Sequence, residues 1–379
     1  MGCIFIIYLD NSATTKPCEK AIKYMNDAVC ENWGNPSSLH LLGMNAEIAV
    51  DCARECVAKT IGAQKKEIIF TSGGTEANNT AIMSALHRKN RGNRIITTSI
   101  EHPSVLNAVD SLEKFGFEII KLKPDSAGVI NLLDLENALN EKTVLVSIML
   151  VNNEVGAIEP IKQAGELIRK KSPNAFFHCD AVQGFGKMPI NVRDLGVDML
   201  SASGHKIHAP KGIGFLYCSQ KTHIAPLLLG GGQENGMRSG TESVPLIMAL
   251  QGAIEELPNA KTALEKQREL FDYTKNLLCE KGIATINSTD QGLPFVLNVS
   301  VNGYRSETLL HFLESKNVFV SSGSACSKGN TSYVLKEMGK SDKAIDSALR
   351  ISFSRYNTKE EIDVFVEYLL QATKTLRKA

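Results

Sequence analysis

The 379-residue sequence predicts an α/β protein in which a mostly parallel sheet lies between helices, with a second, smaller α+β domain. From about residue 20 to residue 220, short apolar runs alternate with segments of helical period. Polar and glycine residues repeatedly follow the apolar runs, as they do at the carboxyl ends of strands in an open sheet. Beyond about residue 255 the pattern changes to short strands that alternate with amphipathic helices. A hydrophobic content of 43% is ample for two packed cores.

The elements of the first part follow one another in the order that a parallel sheet requires. The opening run CIFIIYL predicts an N-terminal strand, and NAEIAVDCARECVAKTIG predicts a helix. The strand and helix pairs that follow are EIIF with TEANNTAIMSALHRKN, RIITTSI with SVLNAVDSLEKFG, FEIIKLK with NLLDLENALN, and VLVSIML with KQAGELIRKK, before the strands AFFHCD and VDMLSAS. Such alternation predicts a parallel sheet sandwiched by helices.

The second part begins after the glycine-rich stretch GGGQENGMRSGTE and the helical segment around PLIMALQGAIEEL. TALEKQREL predicts a connecting helix with a solvated face. The strands LNVSV, VFVSS and LRISFS then alternate with the helices SETLLHFLESK and KEEIDVFVEYLLQATKTL. We therefore expect a large domain over residues 15–255 and a small domain formed by residues 1–14 and 256–379.

The charge balance and the cysteines limit the classes of function. Lys+Arg 42 against Asp+Glu 41 gives a net charge of +1, and no basic block is present, so we expect no direct nucleic-acid ligand. The nine cysteines form no C-x-x-C pair, and Cys52 and Cys56 lie one helical turn apart, where packing is favoured over metal ligation. The opening apolar run has no cationic leader and is too short to span a bilayer. We expect a cytoplasmic protein without membrane contact or structural zinc.

Polar residues near predicted strand ends are candidates for a common site. Lys206, in SGHKIHAPKG, is a nucleophile for a carbonyl if burial lowers its pKa, and otherwise a solvated cation. Asp180, after the apolar AFFHC, needs a partner such as a protonated pyridine nitrogen, although an N-cap or an ordinary ion pair also satisfies it. Gln183, three residues on, is expected to face the same site. His102, in IEHPS, is suited to stacking on a planar ring, to proton transfer or to a structural role.

The segment TSGGTEANN predicts a phosphate-binding turn. Glycines before a helix allow backbone N–H groups to surround a phosphate, and Thr75 adds a hydroxyl. The segment lacks the lysine of a P-loop and does not match G-x-G-x-x-G, which disfavours a nucleotide. A plain N-cap by Ser72 or Thr75 is the alternative.

The stretch SSGSACSKGN, residues 321–330, places Cys326 among small, polar, loop-forming residues. Cysteine is usually a small buried hydrophobe, whereas these neighbours predict an exposed and mobile backbone. On this stretch alone, an incidental loop thiol is the favoured interpretation.

Together these motifs resemble those of the pyridoxal-phosphate-dependent cysteine desulfurases of the class V aminotransferase superfamily, in the branch with an SSGSAC loop. The resemblance runs nearly end to end, through YLDNSATTKP, NPSSLH, FTSGGTEANN, EHPSV, VNNEVGAIEP, HCDAVQ, SGHKIHAPKG, GGQENGMRSGTES, SSGSACS and ALRISFSRYNTKEEID. It implies the fold type I of pyridoxal-phosphate-dependent transferases, with a seven-stranded type of sheet in the large domain and the active-site cysteine in the small one. It also implies a homodimer with two shared sites.

The resemblance implies a role for each candidate residue. Lys206 would form the Schiff base with pyridoxal 5'-phosphate, Asp180 would pair with the pyridine nitrogen, and His102 would stack on the ring and assist proton transfer. Gln183 and Asn152 would contact the cofactor's oxygen and the substrate side. The phosphate would be held by Thr75, Ser203, His205 and the Gly74 backbone, and Thr241 would reach the phosphate of the neighbouring subunit. Arg350, assisted by Asn35, would bind the substrate carboxylate.

The implied reaction gives Cys326 a function. L-cysteine would yield L-alanine, and the Cys326 thiolate would keep the sulfur as a persulfide for an acceptor protein, in iron–sulfur cluster assembly or in tRNA or cofactor thiolation. Only SKGNT separates Cys326 from SYVL, a shorter connection than in many relatives, and Asn235 and Ala209 stand where many relatives have an arginine and a glycine. Three alternatives stay open: a class V aminotransferase, a selenocysteine lyase of the same superfamily, and a noncatalytic sulfur-relay or scaffold subunit.

Overall fold

A computed structural model of the chain describes residues 6–322 and 331–378. Its strands are β1 (Ile7–Tyr8), β2 (Ile68–Thr71), β3 (Arg94–Thr98), β4 (Glu118–Leu122), β5 (Thr143–Met149), β6 (Phe176–Asp180), β7 (Met199–Ser203), β8 (Gly214–Cys218), β9 (Thr285–Ile286), β10 (Val296–Ser300), β11 (Val318–Phe319) and β12 (Ala348–Ser352). Its helices are α1 (Glu19–Cys30), α2 (Leu41–Thr60), α3 (Gly74–Met83), α4 (Pro103–Ser111), α5 (Leu132–Ala138), α6 (Ile161–Lys171), α7 (Val192–Leu195), α8 (Val244–Glu255), α9 (Ala260–Glu280), α10 (Ser306–Glu314), α11 (Tyr333–Glu337), α12 (Asp342–Asp346) and α13 (Lys359–Thr375). Within the described ranges, no helix has both the length and the apolar character needed to cross a membrane.

A seven-stranded sheet with the order β2-β8-β7-β6-β5-β3-β4 forms the centre of the molecule. Strands β3 to β7 pair in parallel, whereas β8 is antiparallel to both β2 and β7. Each of the six runs that predicted a strand between EIIF and VDMLSAS contains one, and the sequence analysis missed only β8 in this sheet. The predicted fold class, a mostly parallel sheet between helices, is confirmed.

Both faces of this sheet are covered, because neighbouring residues along each strand point to opposite sides. Ile95 and Leu145 pack in one hydrophobic core with α3 and α4, while Ile96 and Val146, the next residues, pack in another. This second core also contains residues of α1, α2, α5, α6 and α8. Complete burial explains why β5 and β6 are apolar throughout most of their length instead of alternating with polar residues.

A smaller antiparallel sheet with the order β12-β10-β9 lies in the second part of the chain. It shares a hydrophobic core with residues of α9, α10 and α13 and with the N-terminal residues Ile7 and Leu9. Strand β1 pairs in parallel with β11, so the N-terminus returns to this part of the structure. Separate cores agree with two domains; the expected limits, 15–255 against 1–14 and 256–379, stay a prediction.

The order of the strands determines where a site can form. From β3 the chain adds β4 on one side, whereas β5, β6 and β7 are added on the other side, so the direction of winding changes between β3 and β5. In open α/β sheets, ligands bind beyond the carboxyl ends of the strands at such a switch point. The turns after β3, β5, β6 and β7 therefore converge on one edge of the sheet.

Candidate active site

A cavity of about 410 Å³ lies at that edge. Its wall includes residues at or just beyond the ends of β3, β5, β6 and β7, together with residues of α3 and the small sheet. The sequence-predicted residues on this wall are Gly74, Thr75, His102, Asp180, Gln183, Ser203, His205, Lys206 and Arg350. The fold thus gathers onto one surface residues that are up to 276 positions apart, from Gly74 to Arg350.

Lys206 lies in the tight turn that follows β7, where it is half-buried. Its ammonium donates hydrogen bonds to the carbonyls of Ser12 and Ala13, the latter at 2.8 Å. The backbone of the N-terminal segment therefore holds the lysine at the cavity wall.

Asp180 is the last residue of β6, and its carboxylate is 5% exposed. One carboxylate oxygen, Oδ2, accepts a hydrogen bond of 2.7 Å from Asn78 on α3, and Oδ1 accepts one of 3.0 Å from the backbone N–H of Val182. Burial of a carboxylate is costly unless donors compensate for the lost water. These two bonds keep the anion in place on the cavity wall.

The amide of Asn78 extends this contact into a network. Its Nδ2 also donates to Ser104 Oγ at 2.9 Å, and Ser104 Oγ lies 2.8 Å from Nδ1 of His102. Asn78, Ser104 and His102 belong to α3, α4 and the turn between β3 and α4. The network therefore links Asp180 to His102 across three separate elements.

His102 is the N-cap of α4, where its Nδ1 accepts from the backbone N–H of Ser104 at 3.2 Å. Burial lowers the pKa of His102; the Asp180 carboxylate opposes this effect, and the Lys206 ammonium adds to it. The ring is thus neutral at physiological pH, and since Nδ1 is an acceptor, the ring proton is assigned to Nε2.

The predicted phosphate-binding turn forms the start of α3. Gly73 has φ of +150°, and a Cβ on Gly74 would lie 2.7 Å from a methyl carbon of Val182, so a side chain there would collide with the residues after β6. The first turn of a helix leaves N–H groups without intrahelical partners. Thr75, Ser203 and His205 lie on the cavity wall with this helix start, and burial lowers the pKa of His205 to about 4.

Arg350, on β12, is 1% exposed and is the small sheet's contribution to the cavity. Its Nη2 pairs with Asp10 at 2.8 Å, and its Nη1 donates to the carbonyl of Asn153 at 3.2 Å. Its Nε is buried and has no hydrogen-bond partner among the described residues. A guanidinium whose Nε still lacks an acceptor is suited to a further oxygen acceptor.

Three predicted residues within the described ranges are not on the cavity wall of this single chain. Asn152 is fully buried, and its Oδ1 accepts from the N–H groups of Glu154 and Val155 at 2.9 and 3.1 Å, so its side chain stabilises its own turn. Asn35 and Thr241 are exposed elsewhere. Cys326 lies outside the described residues.

The cavity also contains residues to which the sequence analysis gave no role. These are chiefly Asn78, Ser104, Glu154 and Tyr333. Asn78 is one helical turn beyond Gly74, within the quoted motif TSGGTEANN, so its spacing from the glycine could have indicated it. Glu154, in VNNEVG, is 2% exposed, and burial raises its pKa to about 7 while a hydrogen bond from Ser332 Oγ opposes that rise.

Comparison with known proteins agrees with this geometry. The model of the family "Aminotransferase class-V" matches residues 7–365. The chain belongs to the class V aminotransferase family. A relative from Nostoc sp., named cysteine desulfurase, is 41% identical over 98% of this chain and 94% of its own length.

Solved structures place this member of the class V aminotransferase family among the same relatives. A structure titled "NIFS-LIKE PROTEIN" matches with a TM-score of 0.92 and 38% identity, covering 98% of this chain and all 100% of that one. The structure "SspA in complex with cysteine" matches with a TM-score of 0.83 and 35% identity over 93% of this chain and 100% of that one. Within the family, the chain falls among the cysteine desulfurases.

We expect the substitution Asn78→Leu to destabilise the protein, because it removes a donor from the buried Asp180 carboxylate at nearly constant side-chain volume. The free energy of unfolding should fall by about 1–3 kcal/mol, as when a buried hydrogen-bonding group loses its partner. Urea unfolding of the cofactor-free protein measures this. Asn79→Ala is the matched control, since Asn79 Nδ2 bonds only to the backbone carbonyl of Thr75 one turn earlier. Equal losses in the two variants would contradict the network.

Proposed function

We propose that this chain is a pyridoxal-phosphate-dependent cysteine desulfurase that converts L-cysteine to L-alanine and holds the sulfur as a persulfide on Cys326. The observation that carries the proposal is the common cavity wall of Lys206, Asp180, His102 and the glycine turn at Gly74, in a chain of this family. The sulfur then passes to an acceptor protein, which the proposal assigns to iron–sulfur cluster assembly or to thiolation. A reducing cytoplasm suits this chemistry, because it preserves the thiolate.

The donors and acceptors of the cavity fit pyridoxal 5'-phosphate. The helix start at Gly74, with the hydroxyls of Thr75 and Ser203, suits a phosphate group, and the buried Asp180 suits a protonated pyridine nitrogen. Two buried atoms of cavity residues, Ser12 Oγ and Asn78 Oδ1, have no hydrogen-bond partner in the described structure. Buried polar atoms are normally satisfied, so their lack of partners supports a polar occupant.

When bound, the cofactor supplies an electron sink for negative charge next to the substrate amino group. Lys206 is the residue that would hold the cofactor, and its amine Nζ would take the proton from the substrate Cα. Asp180, whose carboxylate accepts from Asn78 and from the Val182 N–H, would pair with the protonated ring nitrogen. His102 would stack on the ring and assist proton transfer, and the contacts of its Nδ1 with Ser104 orient the imidazole.

Arg350 is the proposed ligand of the substrate carboxylate, with Asn35 assisting it. The guanidinium lies on the cavity wall, already oriented by Asp10 and by the Asn153 carbonyl, and Nε is left as a donor. Because these contacts already fix the guanidinium before the substrate binds, less side-chain entropy is lost on binding. The related SspA was solved with cysteine, a substrate that carries such a carboxylate.

The residues that flank the Cys326 segment are attached to the cavity wall. Ser321 exchanges backbone hydrogen bonds of 3.1 and 2.7 Å with Arg350, and Ser332 donates through its hydroxyl to Glu154. This supports an attack by the Cys326 thiolate on the substrate sulfur. A sulfur–sulfur bond forms as the Cβ–S bond breaks, the electron pair of the broken bond stays on carbon, and a proton completes alanine.

A homodimer with two shared sites is part of the proposal. Apolar side chains are exposed in two regions. Trp33, Leu39, Leu41, Met44 and Ile48 lie on or before α2, and Leu229 lies directly before the glycine-rich stretch. The two regions are joined by the buried ion pair of Arg54, on α2, with Glu234. Exposed apolar surface of this kind marks an interface, and Thr241, exposed at the end of the same stretch, is the residue proposed to reach the neighbour's phosphate.

The substitution Cys326→Ser tests the sulfur acceptor. We expect release of sulfide from L-cysteine in thiol-containing buffer to fall by more than about two orders of magnitude, as when a nucleophile is removed. The visible absorption of the cofactor should be unchanged, because Lys206 is intact. Cys279→Ser, at an exposed cysteine of α9, is the control. Full sulfide release by the Cys326 variant would contradict a persulfide on Cys326. Conversion of L-cysteine to a keto acid without sulfide release would favour an aminotransferase, and loss of activity only towards L-selenocysteine would favour the lyase.

The substitution Lys206→Ala tests the cofactor attachment. We expect loss of the visible absorption band and of all alanine formation, since the described part of this cavity's wall contains no second lysine to replace it. Absorption spectroscopy after incubation with pyridoxal phosphate measures the first effect. Lys221→Ala, at an exposed lysine after β8, should keep both. A purified wild-type protein that takes up no pyridoxal phosphate would instead favour the scaffold alternative.

Mixing two inactive variants tests the shared site. In a mixed dimer of Lys206→Ala and Thr241→Ala subunits, one site loses both residues and the other site keeps both. We therefore expect alanine formation to recover towards about one quarter of the wild-type rate after unfolding and refolding of an equal mixture, because half of the dimers are mixed and each has one complete site. If the mixture recovers no alanine formation although each variant refolds alone, Thr241 belongs to its own subunit's site or lies outside both sites.

A further inference from the structure

Lys187 is a buried cation without an ion pair among the described residues. It lies after β6, it is 6% exposed, and its ammonium donates to the side-chain oxygen Oε1 of Gln183 at 3.1 Å. The ammonium also lies over the ring of Phe295, 5.8 Å from the ring centroid. Burial lowers the pKa of Lys187 to about 7, and the positive charges of Lys206 and Arg350 lower it further in the same direction.

The charged groups around Lys187 are almost all cationic. A second cavity of about 290 Å³ adjoins it, and Lys206 lies on the walls of both cavities. The titratable and charged groups that face Lys187 from this side are Lys206, His208, Lys266, Arg355 and Tyr356. The described wall of this second cavity contains no carboxylate, and His205 and Arg350 face Lys187 from the first. A lysine in such surroundings is stable as a cation only beside an anion, and no carboxylate of residues 6–322 or 331–378 pairs with it.

Gln183 connects Lys187 to the first cavity. Its Oε1 accepts from Lys187, and its Nε2 donates to the carbonyl of Ser12 at 2.9 Å. Because oxygen accepts and nitrogen donates, these two partners define the orientation of the amide. The second hydrogen on Nε2 is the donor that Gln183 has left for an acceptor in the cavity, and without Lys187 the amide loses the partner that fixes its oxygen.

We propose that Lys187 is a positioning residue that fixes the amide of Gln183 and supplies, through it, positive charge to the anionic phenolate oxygen of bound pyridoxal phosphate. The inference rests on the proposed function and on the contact of Gln183 with the cofactor's oxygen that the family resemblance implies. It explains the missing counter-ion: the bound cofactor is the anion that the buried ammonium lacks.

The buried ammonium of Lys187 is expected to lower the stability of the cofactor-free protein. In the cofactor-free protein the pKa of Lys187 is below its value in the unfolded chain, so the unfolded state binds more protons between about pH 7 and the pKa of a free lysine. Stability therefore rises with pH through that range, and the penalty is complete below it. Replacing Lys187 by an apolar residue should remove the penalty, so that the cofactor-free variant is at least as stable as the wild type at neutral pH.

The test is a pH titration of the visible absorption of the loaded enzyme, for wild type, Lys187→Met and Lys187→Arg. A nearby positive charge favours the deprotonated chromophore, so we expect the midpoint to rise by about one pH unit or more in the methionine variant. The arginine variant keeps both a donor and a charge and should restore the wild-type midpoint. Lys162→Met, at an exposed lysine on α6, controls for loss of a charge elsewhere.

The thermal midpoint of the cofactor-free proteins separates positioning from a purely structural role. We expect Lys187→Met to melt no lower than the wild type at pH 7. An unchanged absorption midpoint in Lys187→Met overturns the inference. A melting temperature of this variant below that of the wild type overturns it as well. If the wild type itself takes up no pyridoxal phosphate, the proposed function fails, which is a different outcome from a loaded enzyme that does not respond to Lys187.

Discussion

The hydrogen bond between Asp180 and Asn78 is the contact on which the geometry of the site depends. It joins the end of β6 to α3 at 2.7 Å, and Ser104 continues it to His102. A buried carboxylate without these donors would be costly, so the distance between β6 and the start of α3 is fixed. The same approach brings Val182 against Gly74, where a side chain would collide. One contact thereby determines the positions of both Asp180 and the glycine turn at the start of α3.

The electrostatics of the cavity follow from this close packing. Burial lowers the pKa values of His102, His205 and His208, so these rings are neutral at physiological pH and available as donors and acceptors. The charges that remain near the wall are mostly positive, on Lys206, Lys187 and Arg350. A protein that concentrates cations in this way is less stable alone than with an anionic ligand, because binding to the folded state alone shifts the folding equilibrium.

The sequence predicted much of this arrangement because its strong patterns are local. Alternating apolar runs and helical segments identified β2 to β7, and polar residues at their carboxyl ends identified Asp180, Lys206 and His102. The role of Asn78 depends on Asp180, 102 residues away, and the partner of Arg350 is Asp10, 340 residues away. Single-sequence patterns do not encode such distant pairs. The contacts of Asn152 were equally hidden, since the motif position does not reveal that its Oδ1 accepts from the N–H groups of Glu154 and Val155 in its own turn, and its expected role stays a prediction.

The N-terminal segment explains how the two sheets build one cavity. Asp10 bridges to Ser352 of β12 and pairs with Arg350, while two residues later Ser12 accepts from Gln183 and Lys206. Because a trans peptide chain spans at most about 3.6 Å per residue, this short connection limits how far Arg350 can move from Lys206. The separation between Arg350 and Lys206 is therefore set by covalent geometry as well as by packing. Under the proposed function, a substrate whose carboxylate binds Arg350 and whose Cα faces Lys206 must match that separation.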